Sequence, residues 1–108
     1  MTKIERLAEW MGFHLEKVDK FRDEYHTRQG KCIEDWNPKF NREHAMMLLD
    51  EWGKSCGDWC LEYMDKYYHC NVFVEGKGAR MFYGRAVRLQ SAIIAAVLEA
   101  IGENDEVS

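Results

Sequence analysis

The stretch Trp59-Cys60-Leu61-Glu62-Tyr63-Met64-Asp65-Lys66-Tyr67-Tyr68-His69-Cys70-Asn71-Val72-Phe73-Val74-Glu75 decides the fold class of this chain. Trp59, Leu61 and Tyr63 alternate with Cys60, Glu62 and Met64, the period of two that a half-buried strand requires. Beyond Asp65-Lys66, the residues Cys70, Val72 and Val74 fall on one face, and His69, Asn71, Phe73 and Glu75 on the other. Two such runs about a short polar turn predict an antiparallel hairpin, with strands over 59–64 and 68–75. Gly76-Lys77-Gly78 then predicts another turn, and Arg80-Met81-Phe82-Tyr83 a further strand.

Helical patterns lie on both sides of this hairpin. Upstream, Pro38 fixes its own φ and pushes Asn37 out of the helical region. Asn41 is then placed to cap a helix from Arg42 to about Trp52, with Ala45, Leu48, Leu49 and Trp52 on one face and Gly53 closing it. Trp36 is expected to anchor the entry to this helix in the core. At the start of the chain, Thr2-Lys3-Ile4-Glu5 reads as a capping box. Ile4, Leu7, Ala8 and Met11 follow at helical spacing, and Gly12 supplies a stop. Downstream, Leu89, Ile93, Val97 and Ile101 form one row of a final helix, flanked by Ala92, Ala96 and Ala100. Ile94 and Leu98 make this helix apolar almost all round, which requires deep burial or cover from a second subunit. Gly102 is expected to end it, leaving 103–108 as a flexible acidic tail.

Residues 13–33 read in two ways. Phe13 and Leu15 alternate with His14 and Glu16, Tyr25-His26-Thr27 is β-prone, and Arg28-Gln29-Gly30-Lys31 resembles a turn before Cys32 and Ile33. Leu15, Val18, Phe21 and Tyr25 also sit at helical spacing, so both short strands and a helix stay open. The order of elements predicts an α+β fold over residues 1–102, with helices packed on an antiparallel sheet.

Bulk properties narrow the function classes. The 108 residues suit one modest core, and 46% hydrophobic with 13% aromatic content argues against wholesale disorder. A formal net charge of -4 argues against nonspecific nucleic-acid binding, which depends on clustered Lys and Arg. The apolar run from Ala92 to Leu98 is far shorter than the roughly 20 residues that span a bilayer. Met1-Thr2-Lys3-Ile4-Glu5-Arg6 leads directly into an amphipathic pattern with no signal-peptide core. A cytosolic protein is therefore expected, with Cys32, Cys56, Cys60 and Cys70 as free thiols.

The words Asp35-Trp36-Asn37-Pro38, Asn41 and His44-Ala45-Met46-Met47-Leu48-Leu49, then a hairpin, then Ala92-Ile93-Ile94-Ala95-Ala96-Val97-Leu98-Glu99-Ala100-Ile101-Gly102, carry a family likeness. Together with Leu7-Ala8-Glu9-Trp10-Met11-Gly12-Phe13, they resemble small bacteriophage proteins of the phage ABA sandwich domain family. The resemblance covers most of the chain. It implies a phage or prophage origin and an α-β-α layering, and it implies no catalytic residues. The family commonly has a proline or an acid near the start of the final helix, where this chain has Arg88-Leu89-Gln90.

Four Cys and four His invite a zinc reading, with Cys56 and Cys60 spaced C-x3-C and His69-Cys70 nine residues on. Cys60 and Cys70 fall in predicted strands, however, where cysteine is a good small core residue. The expectation is no metal. No glycine-framed nucleophile accompanies any Cys–His pair, and Asp23-Glu24, Glu34-Asp35 and Asp50-Glu51 are simple neighbours on predicted surfaces or turns. No catalytic residue and no cofactor are expected.

The segment from Lys77 to Arg88 is the most suggestive surface. Four cations, two aromatics and two glycines converge just before the final helix, whose N-terminus adds N–H donors. Lys77, Arg80, Phe82, Tyr83, Arg85 and Arg88 are the expected ligand-binding residues, with Phe82 or Tyr83 stacking a base and the arginines pairing phosphates. The sequence reading is thus a non-enzymatic phage accessory protein. It would assemble as a homo-oligomer and sequester a phosphorylated small molecule, such as a host signalling nucleotide, to counter host defence. The alternative is a protein-binding inhibitor or adaptor, of the anti-defence or anti-CRISPR type, that uses an acidic or aromatic surface against a host protein.

Overall fold

The computed structural model describes residues 2–17, 19, 20, 23–33, 35–76, 78 and 80–107, the side chains of 103–107 excepted. In chain order the elements are α1 (Lys3–Trp10), β1 (His14–Lys17), β2 (Asp23–His26), β3 (Cys32–Ile33), α2 (Arg42–Ser55), β4 (Trp59–Met64), β5 (Tyr67–Val74), β6 (Arg80–Ala86) and α3 (Leu89–Val107). All strand pairs are antiparallel, in two three-stranded sheets ordered β1-β2-β3 and β4-β5-β6. The fold is α+β, as the element order predicts. It uses two small sheets where one was expected, and the chain divides into two compact units, Met1–Asn37 and Pro38–Ser108. The division falls inside the Trp36-Asn37-Pro38 word.

In the first unit, the Thr2 hydroxyl accepts from the Glu5 N–H at 3.1 Å and donates to the Glu5 carboxylate at 3.0 Å, which starts α1. Gly12, at φ +81°, turns the chain out of the helix. Residues 14–17 and 23–26 are strands, so the strand reading of 13–33 holds there; Val18 and Phe21, which the helix reading also used, lie outside the described residues. Gly30 at φ +86° and the bonds Thr27 N–H to Lys31 O (2.9 Å) and Gly30 N–H to Thr27 O (2.9 Å) build the turn into β3. Trp36 is buried, packs edge-on against Phe13 at 4.9 Å and donates to the Ile4 carbonyl at 3.3 Å. Trp36 is thus in a core, and its hydrogen bond there is to α1.

The second unit holds the main core. Asn41 caps α2, its Oδ1 accepting from the Glu43 N–H at 2.9 Å and the His44 N–H at 3.3 Å. The helix passes through Gly53 and ends at Ser55, because no left-handed residue interrupts it at 53. Gly57 is the glycine that matters here: a Cβ on it would collide with the Phe73 carbonyl oxygen. Ala45, Leu48, Leu49 and Trp52 are buried, as their spacing predicts, and Trp52 Nε1 donates to the Phe73 carbonyl at 3.0 Å. That bond ties α2 to β5.

The β4–β5 hairpin turns at Asp65-Lys66, both at positive φ (+54° and +69°), the primed turn that matches strand twist. Cys70 and Val72 are fully buried on the inner face of β5, with Gly84 and Phe82 opposite them on β6. α3 lies on β5 and β6 and also packs on α2. Ala92 and Ala96 approach Gly84 so closely that a Cβ there would collide with their backbone atoms. Leu89, Ala92, Ile93, Ala96, Val97, Ala100 and Ile101 are all buried. Packing within this unit covers that face of α3, whereas Ile94 and Leu98, which widen the apolar surface, are half-buried. α3 also runs through Gly102 to Val107 where a stop was expected, since a glycine permits termination without compelling it. Trp59 is 36% exposed on the edge strand β4.

Candidate functional site

Alternation sorts the β4-β5-β6 sheet into two surfaces. Val72, Cys70 and Phe82 point toward α3. The outer surface carries Cys60, Glu62 and Met64 from β4, Tyr67, His69, Asn71 and Phe73 from β5, and Met81, Tyr83 and Arg85 from β6. In register, Glu62 lies opposite His69, His69 opposite Arg85, and Asn71 opposite Tyr83.

His69 organises the centre of this surface. Its Nε2 lies 3.1 Å from the Met64 carbonyl and its Nδ1 bonds the Tyr83 hydroxyl. A carbonyl only accepts, so this network assigns the proton to Nε2 and leaves Nδ1 to accept from the phenol. The His69 and Tyr83 rings are stacked with centroids 5.8 Å apart. Beside them the Arg85 guanidinium lies over the Tyr67 ring, 4.9 Å from its centroid. Tyr83 is 42% exposed, and Met81 (58%) and Met64 (52%) border the patch with apolar, polarisable surface.

The six residues expected to bind a ligand do not form one site. Tyr83 and Arg85 share the outer surface. Phe82 is 7% exposed and faces α3, because adjacent strand residues point to opposite sides and only one of the aromatic pair can be outward. Stacking therefore falls to Tyr83. Arg80 starts β6, and Arg88 precedes α3, its carbonyl accepting from the Ala92 N–H at 3.2 Å. At about 3.4 Å per residue, Arg80 and Arg85 are roughly 17 Å apart along the strand. Lys77 lies outside the described residues. Tyr67 and His69, which the sequence reading left out of the site, complete the cluster. Their signal was available in the alternation of β5, which sets Tyr67, His69 and Asn71 on the face opposite Cys70.

The remaining titratable groups separate in the same way. None of the four cysteines is in a disulfide. Burial pushes the Cys70 thiol up to about 12. Desolvation, then Glu51, raises Cys56; desolvation, then the hydrogen bond from its thiol to Glu62, raises Cys60. Raised thiols hold little thiolate at neutral pH, which is the opposite of what a nucleophile needs. Cys60 and Cys70 face opposite sides of the sheet, and Cys56 caps α2. The zinc set Cys56, Cys60, His69 and Cys70 therefore does not assemble. Among the described residues, the ligand atoms close enough to share an ion belong to Glu24, His26 and Cys32 in the first unit. Next to them, the hydrogen bond from His14 and then the charge of His26 hold the Glu16 carboxyl below its ordinary range.

No protein-family model, curated protein or solved structure matches the chain. The likeness to the phage ABA sandwich proteins rests on the sequence words alone.

Proposed function

We propose that this protein acts by binding, without catalysis, and that the outer surface of the β4-β5-β6 sheet takes a phosphorylated aromatic small molecule of the nucleotide class. The observation that carries the reading is the pairing of Tyr83 and Arg85 on one strand face. They stand two residues apart, about 7 Å along the strand, a spacing suited to a base stacked on the phenol and a phosphate on the guanidinium. Tyr67 holds Arg85 from below, and the Met64–His69–Tyr83 hydrogen bonds hold the phenol, so both contact groups are ordered before a ligand arrives. Glu62 is the acid on this surface among the described residues, and it lies beyond β5 from Arg85. The phage origin that the resemblance implies would make the role one of sequestering a host signalling nucleotide.

A thermal-shift panel of mononucleotides and cyclic nucleotides tests this reading. At least one is expected to raise the melting temperature of the parent and to do so much less for Arg85→Ala. A panel in which no member stabilises the folded protein refutes it.

The exposed thioethers of Met64 and Met81 favour a second reading, docking of a host protein on the same surface. Tyr, Arg and Met are enriched in such interfaces. Under that reading a stoichiometric partner is recovered by the parent and lost with Tyr83→Ala, while nucleotides have no effect.

A further inference from the structure

The β1-β2-β3 sheet gathers the chain's other chemically capable residues on one face. Register sets His14, His26 and Cys32 in a row across the three strands, with Glu16 and Glu24 paired in the next row. We propose that Glu24, His26 and Cys32 form a transition-metal site that takes Zn²⁺, with Glu16 as the positioning residue that orients the His26 ring. Cys32 Sγ lies 3.3 Å from Glu24 Oε2, and His26 Nε2 lies 3.5 Å from the same oxygen. All three ligand atoms lie within 4.8 Å of one another. Ligands about 2.0–2.3 Å from a tetrahedral ion stand roughly 3.3–3.8 Å apart, so the observed separations need only small side-chain shifts. An imidazole, a carboxylate and a thiol are the donor types zinc accepts.

His26 Nε2 is enclosed and makes no hydrogen bond, an unusual state for a ring nitrogen that points into a cluster of acceptors. On the far side of the ring, Nδ1 faces Glu16 Oε2 at 3.7 Å. A shift of a few tenths of an ångström would bring this carboxylate within hydrogen-bond reach of Nδ1–H and leave the Nε2 lone pair for an ion, the arrangement common behind zinc-bound histidines. Glu16 in turn bonds His14 Nε2 at 2.9 Å, so His14 is engaged and the fourth position on the ion is left to water.

The test is titration of the full chain, purified without a histidine tag and stripped with chelator, with Co²⁺ as a spectroscopic probe and Zn²⁺ as competitor. The parent is expected to bind one equivalent of Co²⁺ with tetrahedral d–d bands and a thiolate charge-transfer band, both displaced by Zn²⁺. Cys32→Ser is expected to lose the charge-transfer band, and His26→Ala to lose saturable binding. Glu16→Gln keeps every ligand and is expected to retain one equivalent at about 10–100-fold weaker affinity. Absence of saturable Co²⁺ and Zn²⁺ binding to the parent overturns the proposal. So does a charge-transfer band that survives Cys32→Ser and disappears with Cys56→Ser or Cys60→Ser. Because the parent alone reports stoichiometry and thiolate ligation, a variant that fails to fold does not obscure the result.

Discussion

Cys70 shows how a single buried group sets a pH limit. Its thiol is neutral in the folded chain, lifted by burial from 9.0 to about 12. A raised pKa contributes stability below the unfolded value, and that contribution is lost as pH climbs from about 9 toward 12. Thermal melts between pH 8 and 11 are expected to show a falling midpoint, and Cys70→Ala, although less stable at pH 8, is expected to show a shallower fall. An equal slope in the two proteins would remove Cys70 as the cause. Trp52 and Trp36 make a different point at the same scale. Both rings are buried, and both indole N–H groups reach a backbone carbonyl in another part of their own unit. Sequence spacing marks Trp52 as core, but no local pattern says that Trp36 belongs to α1, thirty-two positions away.

Among the elements, glycines decide the sign of otherwise identical substitutions. Gly84→Ala forces a Cβ into the α3 backbone at Ala92 and Ala96, and is expected to cost about 1–3 kcal/mol. Gly53→Ala sits inside α2, where the new Cβ meets Trp59 at an ordinary 3.5 Å, and is expected to stabilise by about 0.5–1 kcal/mol. Urea unfolding of the two variants reads both signs in one experiment. The hairpin turn offers a third case. Asp65 and Lys66 hold positive φ without a glycine, and left-handed backbone costs an ordinary residue about 1–2 kcal/mol. Replacing them with Asn-Gly is expected to raise the melting temperature by a few degrees.

Elements with a long, regular period were the legible ones. Asn41, the α2 face and the alternation of β4 and β5 could be read residue by residue, since local physics and tertiary packing agree there. Glycine stops were read less well, because Gly53 and Gly102 lie within helices and a glycine's permissiveness does not dictate a conformation. The ligand patch was half legible. Composition drew attention to Tyr83 and Arg85. It also drew in Phe82, which strand alternation excludes, and it passed over Tyr67 and His69, whose face the alternation of β5 sets and whose place beside Tyr83 and Arg85 the register fixes. The Glu24–His26–Cys32 cluster was half hidden too: the turn at Arg28-Lys31 announces the two strands, but only their register sets Cys32 beside His26.

At the scale of the molecule, the two units differ in what sustains them. Residues 38–108 contain a helix pair, a sheet and a continuous core including Leu48, Leu49, Trp52, Val72, Ile93 and Val97. That fragment is expected to melt cooperatively by itself, whereas the isolated residues 1–37 are expected to show no cooperative transition without Zn²⁺; circular dichroism of both fragments checks this. The working surface proposed for the larger unit depends on Arg85 held above Tyr67 and on Tyr83 held by His69. Charge-assisted hydrogen bonds of the kind Arg85 would offer a phosphate contribute about 1.5–3 kcal/mol, or roughly 10–100-fold in affinity. The most direct measurement is calorimetric titration of the parent and Arg85→Ala with the nucleotide that gives the largest thermal shift. Saturable binding to the parent, weakened by at least about tenfold in the variant, is the predicted result; equal affinity in the two proteins, or no binding by the folded parent, would contradict it.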